Sequence, residues 1–211
     1  IIYSGGGVVN SGVKASTAQE FTFIIITSPS TRYYSGDINL LVEEKYTRAP
    51  QGGVGFAKAA GNYAASFYPT RQANKKGFQQ VVWTDSIEHK YIEECGTMNI
   101  WFRIGDKLVT PQLSDSILDG ITRKSVIALA KDMGIDVQEK KISVKELFEA
   151  YNDNKLTEVF GSGTAVGISP IRSITFRSEK MSFTNNNDSI SSRLKSKLQS
   201  IQKGEDFDSH N

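Results

Sequence analysis

GGVGFAKAAGNYAAS, residues 52–66, is a glycine- and alanine-rich stretch with one charge, Lys58, and one tyrosine five positions on, Tyr63. Ahead of it, Ile38–Thr47 alternates in part between apolar and polar residues and reads as a strand ending at Arg48-Ala49-Pro50. Behind it, a helix is expected from Asn62 through Ala64, Ala65, Ala73 and Asn74 to Gly77, with Pro69 kinking or breaking its first turns. Strand, small-residue loop and helix thus follow one another. A lone lysine among such residues has little local shielding. Packed inside, its amine is desolvated and its pKa falls toward the range in which lysine attacks a carbonyl. The alternative is a solvated lysine on a loop that leads into a helix, and composition alone leaves both open.

Upstream, Ile1–Tyr3 reads as the end of a strand, followed by a turn at Ser4–Gly7, and Phe21–Thr27 as a short buried strand stopped by Ser28-Pro29-Ser30. A boundary is expected at Thr31–Gly36, because the residues before it are too few to hold a core of their own. The expected partition is a remnant of a preceding domain over 1–30, a connecting loop over 31–36, a large domain over 37–204 and a polar tail over 205–211. Downstream, strands are expected at Gln80–Thr84, Tyr91–Glu94, Met98–Ile104 and Lys107–Thr110, the last pair turned by Gly105-Asp106, as an antiparallel run. Thr122–Met133 is the clearest helix, with Val126, Ile127, Leu129 and Ala130 on one face and Gly134 as its stop. Ile135–Ile142 reads as a strand. Ser143 with Glu146 three residues later is a capping box for a helix that turns Leu147, Phe148 and Tyr151 inward. Glu158–Phe160 and Ala165–Phe176 are expected as strands around the loop Gly161-Ser162-Gly163-Thr164. Ile190, Leu194, Leu198 and Ile201 mark a last helix, after which the tail frays. The order gives a mixed α/β (α+β) fold rich in antiparallel strands and disfavours a doubly wound parallel sheet.

Composition narrows the function classes. The 211 residues are 38% hydrophobic and 23% charged with a net charge of +2, so no basic field is available to hold a nucleic acid. The longest apolar run, Phe21–Ile26, is too short to cross a bilayer, and no signal peptide is recognisable. One cysteine, Cys95, excludes an internal disulfide framework and suits a reducing, cytoplasmic compartment. The opening Ile1-Ile2-Tyr3, without an initiator methionine, reads as a fragment or processed product. With two histidines and no Cys/His cluster, a zinc site is not expected. A serine–histidine–aspartate triad would rest on His89, in the charged stretch Glu88-His89-Lys90, which reads as exposed. Neither a P-loop nor a G-x-G-x-x-G fingerprint is present.

Three small-residue segments, Gly52–Ser66, Leu118–Arg123 and Gly161–Ala165, allow a backbone to approach a phosphate. Asp119-Gly120-Ile121-Thr122-Arg123 also opens the clearest helix, whose free N–H groups and positive dipole end suit an anion. The plainer alternative is an ordinary helix start capped by Asp119 or Thr122. Glu93 and Glu94 form an acidic pair at a strand end. Held inside, such a carboxylate needs a cation, for which a protonated pyridine nitrogen would serve; left outside, it is a solvated pair.

Taken together, GGVGFAKAAGNYAAS (52–66), EECGTMNIWF (93–102), SDSILDGITR (114–123) and EVFGSGTAVGISPI (158–171) resemble the C-terminal part of the branched-chain amino acid aminotransferases, pyridoxal-phosphate enzymes of fold type IV. The four motifs keep the family's order and spacing, and the resemblance runs from about Phe21 to Gly204. It implies the antiparallel-rich pseudo-barrel of that fold's large domain, pyridoxal 5'-phosphate as cofactor, and a homodimer. It also implies ping-pong transamination of leucine, isoleucine and valine with 2-oxoglutarate. Lys58 matches the lysine that bonds covalently to the cofactor and then shuttles a proton. Tyr63 matches the tyrosine on the cofactor's phenolic oxygen, and Glu94 the carboxylate that pairs with the ring nitrogen. Ile121 and Thr122 match the backbone donors to the phosphate, and Thr164 a further phosphate contact. Ala165 lies beside the position of the substrate carboxylate, and Tyr33 matches an aromatic residue lining the side-chain pocket. No metal is implied.

Two departures accompany the resemblance. Some members carry a Cys-x-x-Cys pair where this chain has Val166 and Ser169, so no thiol switch is expected. The family's small N-terminal domain, which supplies an arginine to the phosphate and part of the pocket, is represented only by residues 1 to about 30. Its absence would leave the cofactor more exposed and weaken the desolvation of Lys58. Alternatives on the same fold are a D-amino acid transaminase and an aminodeoxychorismate lyase; one outside catalysis is a domain that associates through exposed surface.

Overall fold

A computed structural model describes residues 2–5, 20–29, 34, 36–184, 186 and 188–210. Its chain divides into two units, Ile1–Tyr33 and Tyr34–Asn211. In the first, β1 (Ile2–Gly5) pairs antiparallel with β2 (Glu20–Phe23). The strand expected through Thr27 stops at Phe23, and Phe21, Phe23, Ile25 and Ile26 are exposed rather than buried. Half of the turn expected at Ser4–Gly7 gives way to strand, with Ser4 and Gly5 inside β1; its last two residues, and positions 31–33 (Tyr33 included) and 35 of the connecting loop, lie outside the described residues.

The second unit contains β3 (Asn39–Val42), α1 (Ala60–Lys75), β4 (Gln80–Thr84), β5 (Ile92–Cys95), β6 (Asn99–Ile104) and β7 (Lys107–Thr110). After these come α2 (Ile121–Asp132), β8 (Asp136–Glu139), α3 (Val144–Asn152), β9 (Leu156–Gly163), β10 (Gly167–Pro170), β11 (Ser173–Phe176), β12 (Glu179–Ser182) and α4 (Ile190–Gln202). Two five-stranded mixed sheets result, one ordered β10-β9-β6-β7-β8 and the other β12-β11-β3-β4-β5. Antiparallel pairings outnumber parallel ones, the parallel ones being β3 with β4 and β11 and β7 with β8.

The strand period of two explains how both faces of each sheet are buried. On β6, Ile100 and Phe102 enter a central core together with Val82 of β4, Val159 of β9 and Leu40 of β3. Trp101 and Phe160 point the other way and pack under α2 and α4 with Val126, Leu129, Ile190 and Leu194. Val81 and Trp83 turn to the opposite outer face, against Ala73 of α1. The central core therefore sits between the sheets and takes in Val144, Leu147 and Phe148 of α3, while α1, α2 and α4 pack on the outer faces. The capping box of α3 is present in both directions between Ser143 and Glu146, and Leu147 and Phe148 are buried.

Several sequence expectations are corrected. The middle strands do not form one antiparallel run: β4–β5 and β6–β7 are hairpin pairs in different sheets, and the turn Cys95–Met98 carries the chain between them. The long strand expected over Ala165–Phe176 is likewise split. Ile171 N–H still bonds Val159 O in one sheet, whereas Arg172 N–H bonds Ile38 O in the other. The strand segments expected at Ile38–Thr47 and Ile135–Ile142 shrink to Asn39–Val42 and Asp136–Glu139. Helix α1 starts at Ala60 and continues through the buried Pro69 without a break. Residues 205–210 are exposed, and Asp132 meets His210 Nε2 at 2.7 Å.

Candidate active site

The loop carrying Lys58 is fixed from both ends. Asn62, buried in the first turn of α1, donates its amide N–H groups to Val54 O at 2.8 Å and Ala57 O at 3.1 Å. On the other side the loop runs along residues 114–118: Phe56 N–H bonds Asp115 O at 3.0 Å, and Gly52 N–H bonds Asp115 Oδ2 at 2.6 Å. The approach is close enough to require glycine, since a Cβ on Gly55 would lie 2.5 Å from Ser116 Cα. Lys58 itself is exposed, so the enclosed, desolvated amine considered from sequence is not what this unit presents.

The glutamate pair is buried, contrary to a solvated strand end: Glu93 is 8% exposed and Glu94 3%. Their alternation on β5 sends them to different neighbours. Glu93 Oε1 accepts the Ser116 hydroxyl, while its Oε2 has no hydrogen-bond partner among the described residues. Glu94 Oε1 accepts Leu118 N–H at 2.7 Å, and its Oε2 lies 3.2 Å from Arg48 Nε, an ion pair whose N–H is not aligned for a hydrogen bond. Burial pushes the Glu94 carboxyl up to about 7, against the lowering effects of Arg48, the Leu118 N–H and Lys58 and with the repulsion of Glu93. Burial also raises Glu93. The neighbouring Cys95 thiol is buried and pushed up.

Two residues past Leu118, Gly120 is the N-cap of α2, and no side chain caps that helix, neither Asp119 nor Thr122. Asp119 instead meets Lys124 at 2.7 Å. Asn99 of β6 donates its amide to Leu118 O at 2.9 Å, and a Cβ on Gly120 would collide with Asn99 Oδ1. The first N–H groups of α2, on Ile121 and Thr122, thus have no side-chain acceptor in the helix start, which leaves them to an anion. The residues fit a pyridoxal phosphate at both ends: a buried carboxylate pair, Glu93 and Glu94, with Arg48 as its one close buried cation among the described residues, and a helix start that suits an anion, joined by the Glu94–Leu118 hydrogen bond.

The third small-residue segment is placed differently from its sequence reading. Gly161, Ser162 and Gly163 belong to β9, and only Thr164, Ala165 and Val166 form the turn. Thr164 and Ala165 are exposed. Tyr63 is half-buried on α1. Ser169 donates its hydroxyl to Val166 O at 3.2 Å.

His89, read as exposed, is half-buried with Nδ1 2.9 Å from Thr84 Oγ1. A cleft of about 280 Å³ opens on the Glu93 side, lined in part by Tyr91, Gln112 and Lys141, and neither Lys58 nor Glu94 lines it. Among the described residues no group of three or more His, Cys, Asp or Glu side chains could hold a metal ion, and no helix is long and apolar enough to cross a membrane.

Sequence reasoning misses the residues that hold this geometry together: Arg48, Asn62, Asn99, Ser116 and Leu118. Arg48 reads as part of a strand end, yet it is buried and donates to Gly55 O at 3.1 Å and to Ser116 O. An arginine beside Ala-Pro before a glycine loop carries no local mark of such partners.

Fold and site define the class: the chain belongs to the class IV aminotransferases, the family described as Amino-transferase class IV, which matches residues 1–174. Within that class it is similar to a "Probable branched-chain-amino-acid aminotransferase" of Staphylococcus epidermidis, 47% identical over 208 residues that cover 96% of this chain and 57% of the relative. Its structure is similar to that of the branched-chain amino acid aminotransferase from Escherichia coli, with a TM-score of 0.70 at 30% identity over 83% of this chain and 56% of the other. A T.th. branched-chain amino acid aminotransferase complexed with N-(5'-phosphopyridoxyl)-L-glutamate gives a TM-score of 0.66 at 25% identity, over 81% and 53%. The chain spans little more than half the length of these relatives.

Proposed function

We propose that this chain is the cofactor-binding part of a pyridoxal-phosphate transaminase that exchanges the amino group of leucine, isoleucine or valine with 2-oxoglutarate. The observation that carries the proposal is the hydrogen bond from Leu118 N–H to Glu94, which places a buried carboxylate next to an uncapped helix start on a loop bound to the Lys58 segment. The relatives' printed names supply the substrate class. When bound, pyridoxal phosphate supplies an electrophilic carbonyl and a ring that withdraws charge from the amino acid's Cα.

The chain's own groups then take these roles. Ile121 and Thr122 N–H hold the phosphate, with Thr164 as a further contact. Glu94 holds the proton on the ring nitrogen, and Tyr63 bonds the phenolic oxygen. Lys58 Nζ would anchor the cofactor and would carry the proton that leaves Cα. Ala165 would lie near the substrate carboxylate; Tyr33, which the resemblance assigns to the side-chain pocket, lies outside the described residues. Selection for a branched side chain rests on apolar contacts worth about 1–3 kcal/mol per methylene. The remainder of the pocket belongs to sequence that the relatives have beyond the length matched here. Residues 1–30 continue that preceding domain, 31–36 link it, 37–204 form the cofactor domain and 205–211 the tail. The assembled protein is a cytoplasmic homodimer.

An absorbance titration with pyridoxal phosphate tests the proposal. A spectrum of lysine-bound cofactor, absent in Lys58→Ala and altered by leucine with release of its 2-oxo acid, is expected. In the chain joined to the rest of the pocket, bound cofactor that no branched-chain amino acid changes would overturn the substrate assignment. D-alanine as the active donor would point to the D-amino acid alternative.

A further inference from the structure

We propose that Arg48 is the positioning residue of this site: one guanidinium ties the Lys58 loop, the Ser116 segment and the end of β5 together, and holds Glu94 as the anion that a protonated cofactor ring requires. The inference rests on the cofactor reading given above. Three contacts support it. Arg48 is buried, its Nε lies 3.2 Å from Glu94 Oε2, and its terminal nitrogen donates to both Gly55 O and Ser116 O. Gly55 lies three residues before Lys58 and Ser116 two before Leu118, whose N–H holds the other Glu94 oxygen. The same side chain therefore reaches both the anchor lysine's loop and the carboxylate.

Charge balance makes its role more than structural. Two buried carboxylates, Glu93 and Glu94, share a single buried guanidinium, so the cluster is one positive charge short when both are ionised. The groups acting on Glu94 are Arg48 and the Leu118 N–H, which favour its anion; Glu93, which opposes it; and the exposed Lys58, which favours it from farther off. Glu93 in turn is acted on by Arg48, Asp85 and Asp115. Removing Arg48 leaves both carboxylates without a close buried cation and pushes Glu94 further toward its neutral form, which cannot pair with a ring N–H⁺. With Arg48 present, a cofactor ring nitrogen arriving protonated supplies the missing charge.

The test follows the Glu94 carboxyl by carbon-13 NMR in the full 211-residue chain without cofactor, its resonance assigned with Glu94→Gln. In Arg48→Met the Glu94 midpoint should rise by about one pH unit or more. Arg48→Lys, which keeps the charge, should stay near the wild-type midpoint. In the wild-type chain the Arg48 Nε resonance should titrate with that same midpoint, a measurement that needs no variant to fold. Pyridoxal-phosphate affinity should gain its dependence on pH at the Glu94 midpoint and move with it in Arg48→Met, whereas a merely structural role lowers affinity by one factor at every pH. A Glu94 midpoint unchanged in Arg48→Met, or an Arg48 resonance that ignores it, overturns the inference while wild-type cofactor binding stands. A wild-type chain that takes no pyridoxal phosphate at any pH overturns the proposed function and this inference with it.

Discussion

Leu118 N–H lies 2.7 Å from Glu94 Oε1, so the last strand residue but one of β5 is bonded to the segment that opens α2. That bond joins the two sheets' contributions to the site. β5 belongs to one sheet, and the segment before α2 is held by Asn99 from the other. On the proposed function, this tie sets the distance between the ring-nitrogen partner and the phosphate cradle.

The buried glutamate gives stability a pH slope. Glu94 titrates at 4.5 when unperturbed and is pushed up to about 7 in the fold. Between these values the folded chain keeps a proton that the unfolded chain has released. The Glu94 contribution to stability is therefore fully present below about pH 4.5 and is lost as pH rises through about 7, by on the order of 3 kcal/mol at about 1.4 kcal/mol per unit. Denaturant unfolding from pH 4 to pH 8 should show this fall in wild type and a shallower one in Glu94→Gln, where Glu93 alone remains raised. Equal slopes would refute the assignment.

Gly120→Ala should disturb the anion cradle, because the new Cβ collides with Asn99 Oδ1 even though the backbone there, at φ −69°, suits any residue. A loss of about 1–3 kcal/mol in unfolding free energy is expected for such overpacking. Adding Asn99→Ala removes the colliding oxygen, so the double variant should be more stable than the sum of the single losses. Additive losses would mean that the two residues do not meet.

Ser143→Ala removes the hydroxyl side of the α3 capping box, in which Ser143 Oγ accepts Glu146 N–H at 3.1 Å, and keeps the backbone side, in which Glu146 Oε2 accepts Ser143 N–H at 2.7 Å. A cost of about 1 kcal/mol is expected, seen as a fall of about 2–4 °C in Tm for a domain of this size. Pyridoxal-phosphate affinity should not change, since α3 carries none of the site residues.

Local signals were legible and long-range ones were not. Gln80–Thr84 and Lys107–Thr110 match β4 and β7, and the Ser143–Glu146 box and the Ile190–Leu194–Leu198 stripe match α3 and α4, because each is specified by residues within a few positions. The division of consecutive strands between two sheets was not legible. The parallel pairing of Ser173 with Asn39 depends on the whole intervening chain, and a hairpin-like spacing between β5 and β6 carries no sign of the change of sheet. In the site, small-residue segments, an acidic pair and a helix start marked Lys58, Glu94 and Gly120–Thr122 as candidates with plainer alternatives open, and the family resemblance assigned their roles. Arg48 stayed hidden, because its meaning lies in Glu94 and Ser116, far along the sequence.

On the proposed function Lys58, exposed though it is, is the lysine that bonds a cofactor held in the Glu94–α2 cradle. Incubation of the full chain with pyridoxal phosphate, reduction with borohydride and peptide mapping by mass spectrometry tests this directly. A pyridoxyl group on Lys58 is expected, with labelling suppressed in Glu94→Ala and Gly120→Ala. Label spread evenly over the exposed lysines, or undiminished in those two variants, would contradict the assignment.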